Sequence, residues 1–193
     1  YPHMVFRVGT KAADGFGFLS KAPLRNLRFL DPLPGWRGAW FAELTLGGSN
    51  LDVVNVHLAT PQVEPLQSLP AVMTAFQQAE ELHAREIARI HALLTNGRPV
   101  IVLGDFNSFS FFNAPTWLAQ RGWVDSFASV TENADQQGTW DFRHGDHRWS
   151  FRIDFIFHSP DLRTVNSRIL GSAASDHSPV VSRLGWREIR TAK

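Results

Sequence analysis

The chain of 193 residues has no cysteine. That excludes a disulfide framework, a thiolate zinc site and a cysteine nucleophile, and it leaves the compartment open between reducing and oxidising spaces. No apolar run approaches the length needed to cross a bilayer, and no signal-like apolar stretch opens the chain. An excess of one charge is absent too: 19 Lys and Arg face 18 Asp and Glu, for a net charge of +1. A strongly basic, nucleic-acid-coating protein is therefore excluded, while smaller anionic ligands remain open. Missing G-x-S-x-G, Walker A and Rossmann glycine signatures argue against a serine hydrolase and against the common nucleotide folds. There is no low-complexity segment and no solenoid repeat.

What is present is a globular composition, 44% hydrophobic with 7 Trp and 15 Phe, enough for one domain with a substantial core. Short apolar, β-branched or aromatic segments predict strands at Met4–Val8, Phe16–Ser20, Ala39–Leu46, Leu51–His57, Val100–Asp105, Ile153–Phe157 and Val180–Leu184. Alternation in Ala39–Leu46 predicts one apolar face, with Trp40, Ala42, Leu44 and Leu46, and one polar face, with Glu43 and Thr45. Gly47-Gly48 then predicts an antiparallel hairpin. A long helix is expected over Ala71–Thr95, after Pro70 and before Asn96-Gly97, and a shorter one over Ala114–Arg121. Helices placed between strands imply a layered α/β or α+β domain without an internal linker.

Four segments place polar residues at the ends of apolar strands. His57 closes Val53-Val54-Asn55-Val56-His57. Such a histidine, taken alone, is more often a satisfied core or edge residue than a catalyst. Asp105 and Asn107 follow Val100–Gly104 two positions apart, and in extended chain both can meet one ligand; the bland reading is an Asx-turn. Asp154 sits inside Arg152-Ile153-Asp154-Phe155-Ile156-Phe157 and needs a partner, since an unpaired buried carboxylate is costly. That partner is Arg152, a backbone cap, or a histidine whose ring it orients. Asp176-His177, at the mouth of the last strand, offers a hard oxygen ligand beside a proton-handling ring.

Taken in order, Asn55–Leu58 (NVHL), Gly104–Asn107 (GDFN), Arg152–Phe157 (RIDFIF) and Ser175–Val180 (SDHSPV) resemble the endonuclease/exonuclease/phosphatase superfamily, as does Gly15–Lys21. The resemblance runs from about Tyr1 to Leu184. It implies a four-layer α/β/β/α DNase-like sandwich and hydrolysis of a phosphate ester assisted by Mg²⁺ or Mn²⁺. By matching position it implies that Asp105 orients or deprotonates the attacking water and that Asn107 holds a phosphate oxygen or hydrated metal. It implies further that His177, tuned by Asp154, and His57 contact the phosphate, and that Asp176, with Asp105 and Asn107, ligates the metal. Family members also carry an Asn strand and a metal-binding Glu strand before the region matching Tyr1. This chain has no counterpart, and Glu43, Glu64, Glu80, Glu81 and Glu86 stand in the wrong segments. The expectation is thus an N-terminally shortened member with part of its metal site missing. The alternative is a non-catalytic domain that binds a phosphate ligand or a partner.

Other signals are weaker. His83 and His91 read as a solvated or half-buried helix face, and His144-Gly145-Asp146-His147 lacks the partners of a metal site. The basic, aromatic-interleaved stretch from Arg143 to Arg152 reads as a solvated loop or as a contact for an anionic substrate. Phe109, Phe111 and Phe112 read as core, or as an apolar edge of the cleft. Nucleic acid, phospholipid headgroups and small phosphodiesters are all open as substrates, although near-neutral charge disfavours long duplex DNA.

Overall fold

A computed structural model describes residues 1–8, 15–31, 37–63, 68–94, 97–144, 147–171 and 175–187. Along them run β1 (His3–Arg7), β2 (Phe16–Ser20), β3 (Arg25–Leu30), β4 (Ala39–Leu46), β5 (Ser49–His57), α1 (Leu69–His91), β6 (Val100–Asp105), α2 (Asn113–Ala119) and β7 (Val124–Asp125). A short 3₁₀ turn at Ala134–Gln136 precedes β8 (Trp140–His144), β9 (His147–Phe151), β10 (Asp154–His158), β11 (Leu162–Ile169) and β12 (Val180–Trp186).

The central sheet is mixed, in the order β3-β4-β5-β6-β10-β7. The expected β4–β5 hairpin forms around Gly47 and Gly48, whose φ angles of 60° and 83° lie in the left-handed backbone region that a tight hairpin turn requires. From β5 the chain crosses through α1 and returns as β6, parallel to β5, a connection that needs a helix-length excursion. β10 then pairs with β6 antiparallel.

The long helix begins two residues earlier than expected. Pro70 lies in its first turn, where a missing N–H costs no intrahelical bond. It also stops earlier: Leu93 and Leu94 donate to Ile90 and His91, and Arg28 Nη2 of β3 reaches the Leu93 carbonyl at 2.6 Å. Those bonds satisfy carbonyls that a helix end otherwise leaves bare. Thr95 and Asn96, where the end was expected, lie outside the described residues.

Both faces of the sheet are covered. Beneath α1 and α2, Ala39, Phe41, Val54, Val56 and Val102 pack with Ile87, Ile90 and Leu118. The rings of Phe106, Phe155 and Phe157 interlock there at centroid distances of 5.2 to 5.7 Å. On the other face Leu51, Val53 and Leu162 pack with Phe18 of β2 and Leu184 of β12. The two-faced reading of Ala39–Leu46 is thereby corrected: Ala39 and Phe41 enter the helix-side core, while Leu44 joins the opposite one. An inner strand of a sandwich must be apolar on both sides. The expected DNase-like sandwich thus appears among the described residues as one helical layer, the central sheet, and a second β layer of two ribbons, β1–β2 and β11–β12.

The stretch read as a basic loop is the β8–β9 hairpin; its Gly145 and Asp146 lie outside the described residues. β3 and β11 also escape sequence detection, since Arg25, Asn26, Arg28, Arg163, Asn166 and Arg168 break their apolar alternation.

Gly104 permits the close approach of β6 to β5 beside Val56. Its φ is +133°, and a Cβ there would stand 2.0 Å from the Val56 carbonyl oxygen of the neighbouring strand. Gly104→Ala is expected to destabilise the fold by at least about 2 kcal/mol. Thermal unfolding followed by circular dichroism checks this, and an unchanged melting temperature would refute it.

Candidate active site

Sheet register gathers the site. His57 of β5 lies beside Asp105 of β6, and Asp105 lies opposite Asp154 of β10. Three consecutive strands therefore deliver one polar side chain each to the same rim. Alternation sends Val56 and Phe155 to the helix-side core and turns His57, Asp105 and Asp154 towards the second β layer. His177, brought in by the segment before β12, completes the group: its Nδ1 lies 2.9 Å from Asp154 Oδ2. One ligand atom each of Asp105, Asp154 and His177 falls within 4.8 Å of the others. A cleft of about 350 Å³ opens alongside, lined in part by Leu103, Ile156, Pro179 and Val180.

Of the partners open to Asp154, the histidine is the one observed. Arg152 is instead buried with Asp125 at 2.5 Å and Asp135 at 2.6 Å, its guanidinium 4.5 Å over the Phe155 ring. The hydrogen bond to Asp154, opposed by burial, holds the His177 pKa above its ordinary value. Asp105 lies under a different balance. Burial first, then the Asp154 charge, push it up to about 7, against the opposing pull of the Asn107 N–H, His177 and Arg37. His57 Nε2 lies 3.5 Å from Asp105 Oδ2.

Asp105 and Asn107 are not related by extended chain. Asn107 has φ +47°, its N–H donates to Asp105 Oδ1 at 2.8 Å, and the segment is the Asx-turn of the bland reading. The Asn107 amide then turns across to donate from Nδ2 to the Leu58 carbonyl at 3.1 Å, which ties the β6 end to the β5 end. Its remaining polar atom is an oxygen. Asn55, one step back on β5, donates to the Gly17 carbonyl at 2.8 Å and anchors the β1–β2 ribbon. Asp176 is exposed and outside the close group: its Oδ2 accepts the Trp140 indole N–H at 3.1 Å. Its charge nevertheless contributes to raising His177.

The donor set suits a hard divalent cation. Two neighbouring carboxylates disfavour each other's charge, and a cation beside them relieves both that repulsion and the desolvation behind the raised Asp105 pKa.

Several positioning residues were invisible in the sequence. Thr139, fully buried, accepts at Oγ1 from the N–H groups of Ile153 and Asp154, at 3.0 and 3.1 Å, while its carbonyl takes the Ser178 N–H at 2.6 Å. One threonine thus sets Asp154 against His177. Arg37 acts on Asp105 through its charge.

The helix α1 supplies the rest. His83, expected on a solvated or half-buried face, is fully buried. Its Nε2 contacts the Ala59 carbonyl at 2.6 Å and its Nδ1 contacts Glu80 Oε1 at 3.0 Å. Glu80 also accepts from Ser108 Oγ at 2.9 Å and from the Asn113 N–H at 2.6 Å, and Glu86 accepts the Ala59 N–H at 3.1 Å. These bonds clamp the segment after His57 and the segment after Asn107 to one helix. The spacing of Glu80, His83 and Glu86, at i, i+3 and i+6, was the available signal, but an exposed face reads the same way.

A mixed sheet packed against a second β layer, with its strand ends gathering carboxylates and imidazoles, defines the DNase-like sandwich class. The chain belongs to the endonuclease/exonuclease/phosphatase family, whose model matches residues 1–177. That family is one of phosphoester hydrolases. The chain is similar to a 3′-5′ exonuclease from Neisseria meningitidis, at 24% identity and a TM-score of 0.67, over 95% of this chain and 80% of that one. It is similar to an AP endonuclease from Archaeoglobus fulgidus, at 20% identity and a TM-score of 0.67, over 94% and 78%. A third likeness is to TDP2 of D. rerio, solved with a single-stranded DNA product, at 15% identity and a TM-score of 0.66, over 94% and 77%. These likenesses establish the fold. No curated protein matches the chain, and among the described residues no helix is long and apolar enough to cross a membrane.

The clamp carries a pH signature. Burial pushes the Glu86 carboxyl up to about 7 from 4.5, and its Oε1 has no hydrogen-bond partner among the described residues. Between those values the folded chain holds a proton that the unfolded chain has released, so stability falls as pH rises through the window, by on the order of 3 kcal/mol. Burial lowers the His83 pKa, but Glu80, the Ala59 carbonyl and Glu86 together raise it above its ordinary value. Its contribution is likewise present at low pH and lost as pH rises. Glu86→Gln should therefore melt higher than wild type well above pH 7 and about equally near pH 4.5; equal melting curves at both ends would refute the assignment.

Proposed function

We propose that the protein is a divalent-metal-dependent phosphodiesterase with its reaction centre at the rim shared by β5, β6 and β10. The observation that carries this reading is the convergence of His57, Asp105 and Asp154 at one level of adjoining strands, with His177 hydrogen-bonded to Asp154. Asp105 and Asn107 would hold Mg²⁺ or Mn²⁺ through their oxygens, with the exposed Asp176 as the neighbouring carboxylate. When bound, such an ion supplies charge neutralisation for the phosphate oxygens.

The protein's own groups perform the remaining work. Phosphodiester hydrolysis needs a water aligned opposite the leaving oxygen and a proton delivered to that oxygen. The second oxygen of Asp105, not engaged by the Asn107 N–H, is the acceptor for the attacking water. Asp154 accepts from His177 Nδ1, which fixes the ring and directs Nε2 away from the carboxylate towards the phosphate. His177 in that orientation donates to a phosphate oxygen or to the leaving group, and the raised pKa favours its protonated form. His57, on the far side of Asp105 with Nε2 3.5 Å from its Oδ2, would contact a second phosphate oxygen.

The test is hydrolysis of bis(p-nitrophenyl) phosphate by purified protein in Mg²⁺ or Mn²⁺. Turnover should disappear with EDTA, and Asp105→Asn and His177→Ala should each lower kcat by about 10²-fold or more. Metal-independent turnover, or variants as active as wild type, would refute the proposal. Phosphate-ester binding without turnover would favour the non-catalytic alternative.

A further inference from the structure

The aromatic residues after Asn107 form a run of rings leading away from His177. The His177 ring lies 6.3 Å from Trp140, which lies 6.4 Å from its cross-strand partner Phe151 at an interplanar angle of 30°. Phe151 is 5.1 Å from Phe109. Phe109 lies between Phe76 of α1, at 5.9 Å and 18°, and Phe111, at 5.7 Å and 29°. Phe112 braces Phe111 edge-on at 4.8 Å and 74°. The other rings of this run are half-buried, but Phe111 is 69% exposed.

A lone exposed phenylalanine needs no explanation. Phe111 differs on two counts. Phe109 and Phe112 hold its plane from two sides, and the run joins it without a break to the histidine of the reaction centre. We infer that Phe111 is a stacking platform for an unpaired nucleobase of the substrate strand. The inference rests on the phosphodiesterase reading and narrows its substrate to single-stranded nucleic acid.

Three considerations select a base over other apolar groups. Near-parallel rings present flat π faces, which match the face that every base carries, whereas an acyl chain is better served by an aliphatic groove. A net charge of +1 gives a polyanion little long-range attraction, and stacking supplies affinity that does not depend on it. Bases inside a duplex are already stacked and paired, so only an unpaired base can rest on Phe111 without a further opening cost.

Binding is measured in EDTA, so that no turnover is required, by fluorescence anisotropy of a fluorescein-labelled single-stranded oligonucleotide and of the matching duplex. Wild type should prefer the single strand. Phe111→Ala and Phe111→Leu should both weaken single-strand binding by about tenfold or more, and Phe111→Trp should retain it. Melting temperatures confirm that each variant is folded, and the leucine variant separates a stacked plane from mere apolar bulk. Single-strand affinity in Phe111→Leu equal to wild type, or equal losses on single strand and duplex, would overturn the inference. So would Phe111-dependent sedimentation with phosphatidylcholine vesicles in place of oligonucleotide binding. The outcomes remain separable from the broader reading. Hydrolysis of bis(p-nitrophenyl) phosphate with unchanged oligonucleotide affinity in the leucine variant removes the platform alone. A Phe111-dependent single-strand preference without hydrolysis of any diester removes the enzyme alone.

Discussion

Asp105 and Asp154 stand directly opposite each other on adjacent antiparallel strands. Like charges in that position destabilise a sheet, and partial burial sharpens the penalty. Much of the surrounding structure answers this one repulsion. The Asn107 N–H bonds to one carboxylate and the His177 ring to the other, with His57 3.5 Å from Asp105. A sheet end that demands positive charge and hydrogen-bond donors is also one whose side chains suit a cation.

A second constraint lies beneath the first. The segments leaving the ends of β5 and β6 adjoin the proposed reaction centre, and loose segments would let His57 and Asp105 drift. Helix α1 serves two purposes through different residues. Ile87 and Ile90 cover the sheet, while Glu80, His83 and Glu86 hold Ala59, Ser108 and Asn113 through buried hydrogen bonds. Polar groups so deeply buried are tolerated because nearly all are partnered; among the described residues the Glu86 Oε1 atom is the exception. The same helix orients Phe109 through Phe76, one turn before Glu80, so the polar clamp and the aromatic run share one support.

Legibility followed local chemistry. Strands β2, β4 and β6 were readable to the residue, because continuous apolar text bounded by glycine or polar residues leaves few alternatives. The four polar strand ends were likewise readable, because an aspartate or histidine after a run of valines and isoleucines is conspicuous. Illegible elements had no such contrast. β3 and β11 are written in arginine and asparagine, β7 is two residues long, and the hairpin of β8 and β9 reads as a charged loop. At Asn107 sequence leaves extended chain and an Asx-turn both open, and the fold selects the turn, closed by a left-handed residue.

The sequence by itself marked the polar residues that close apolar strands, because residue type and period-two alternation are local properties. It determined the family too, since the motifs occur in order along one chain. Only the tertiary structure decided that Asp154 serves His177 rather than Arg152. It also decided that Thr139 sets that pair and that a buried histidine on a distant helix clamps the loop after His57. Those choices depend on strand register and on packing between segments far apart in the chain. No local pattern encodes a register, because shifting a strand by two residues keeps every side chain on the same face while changing all of its partners.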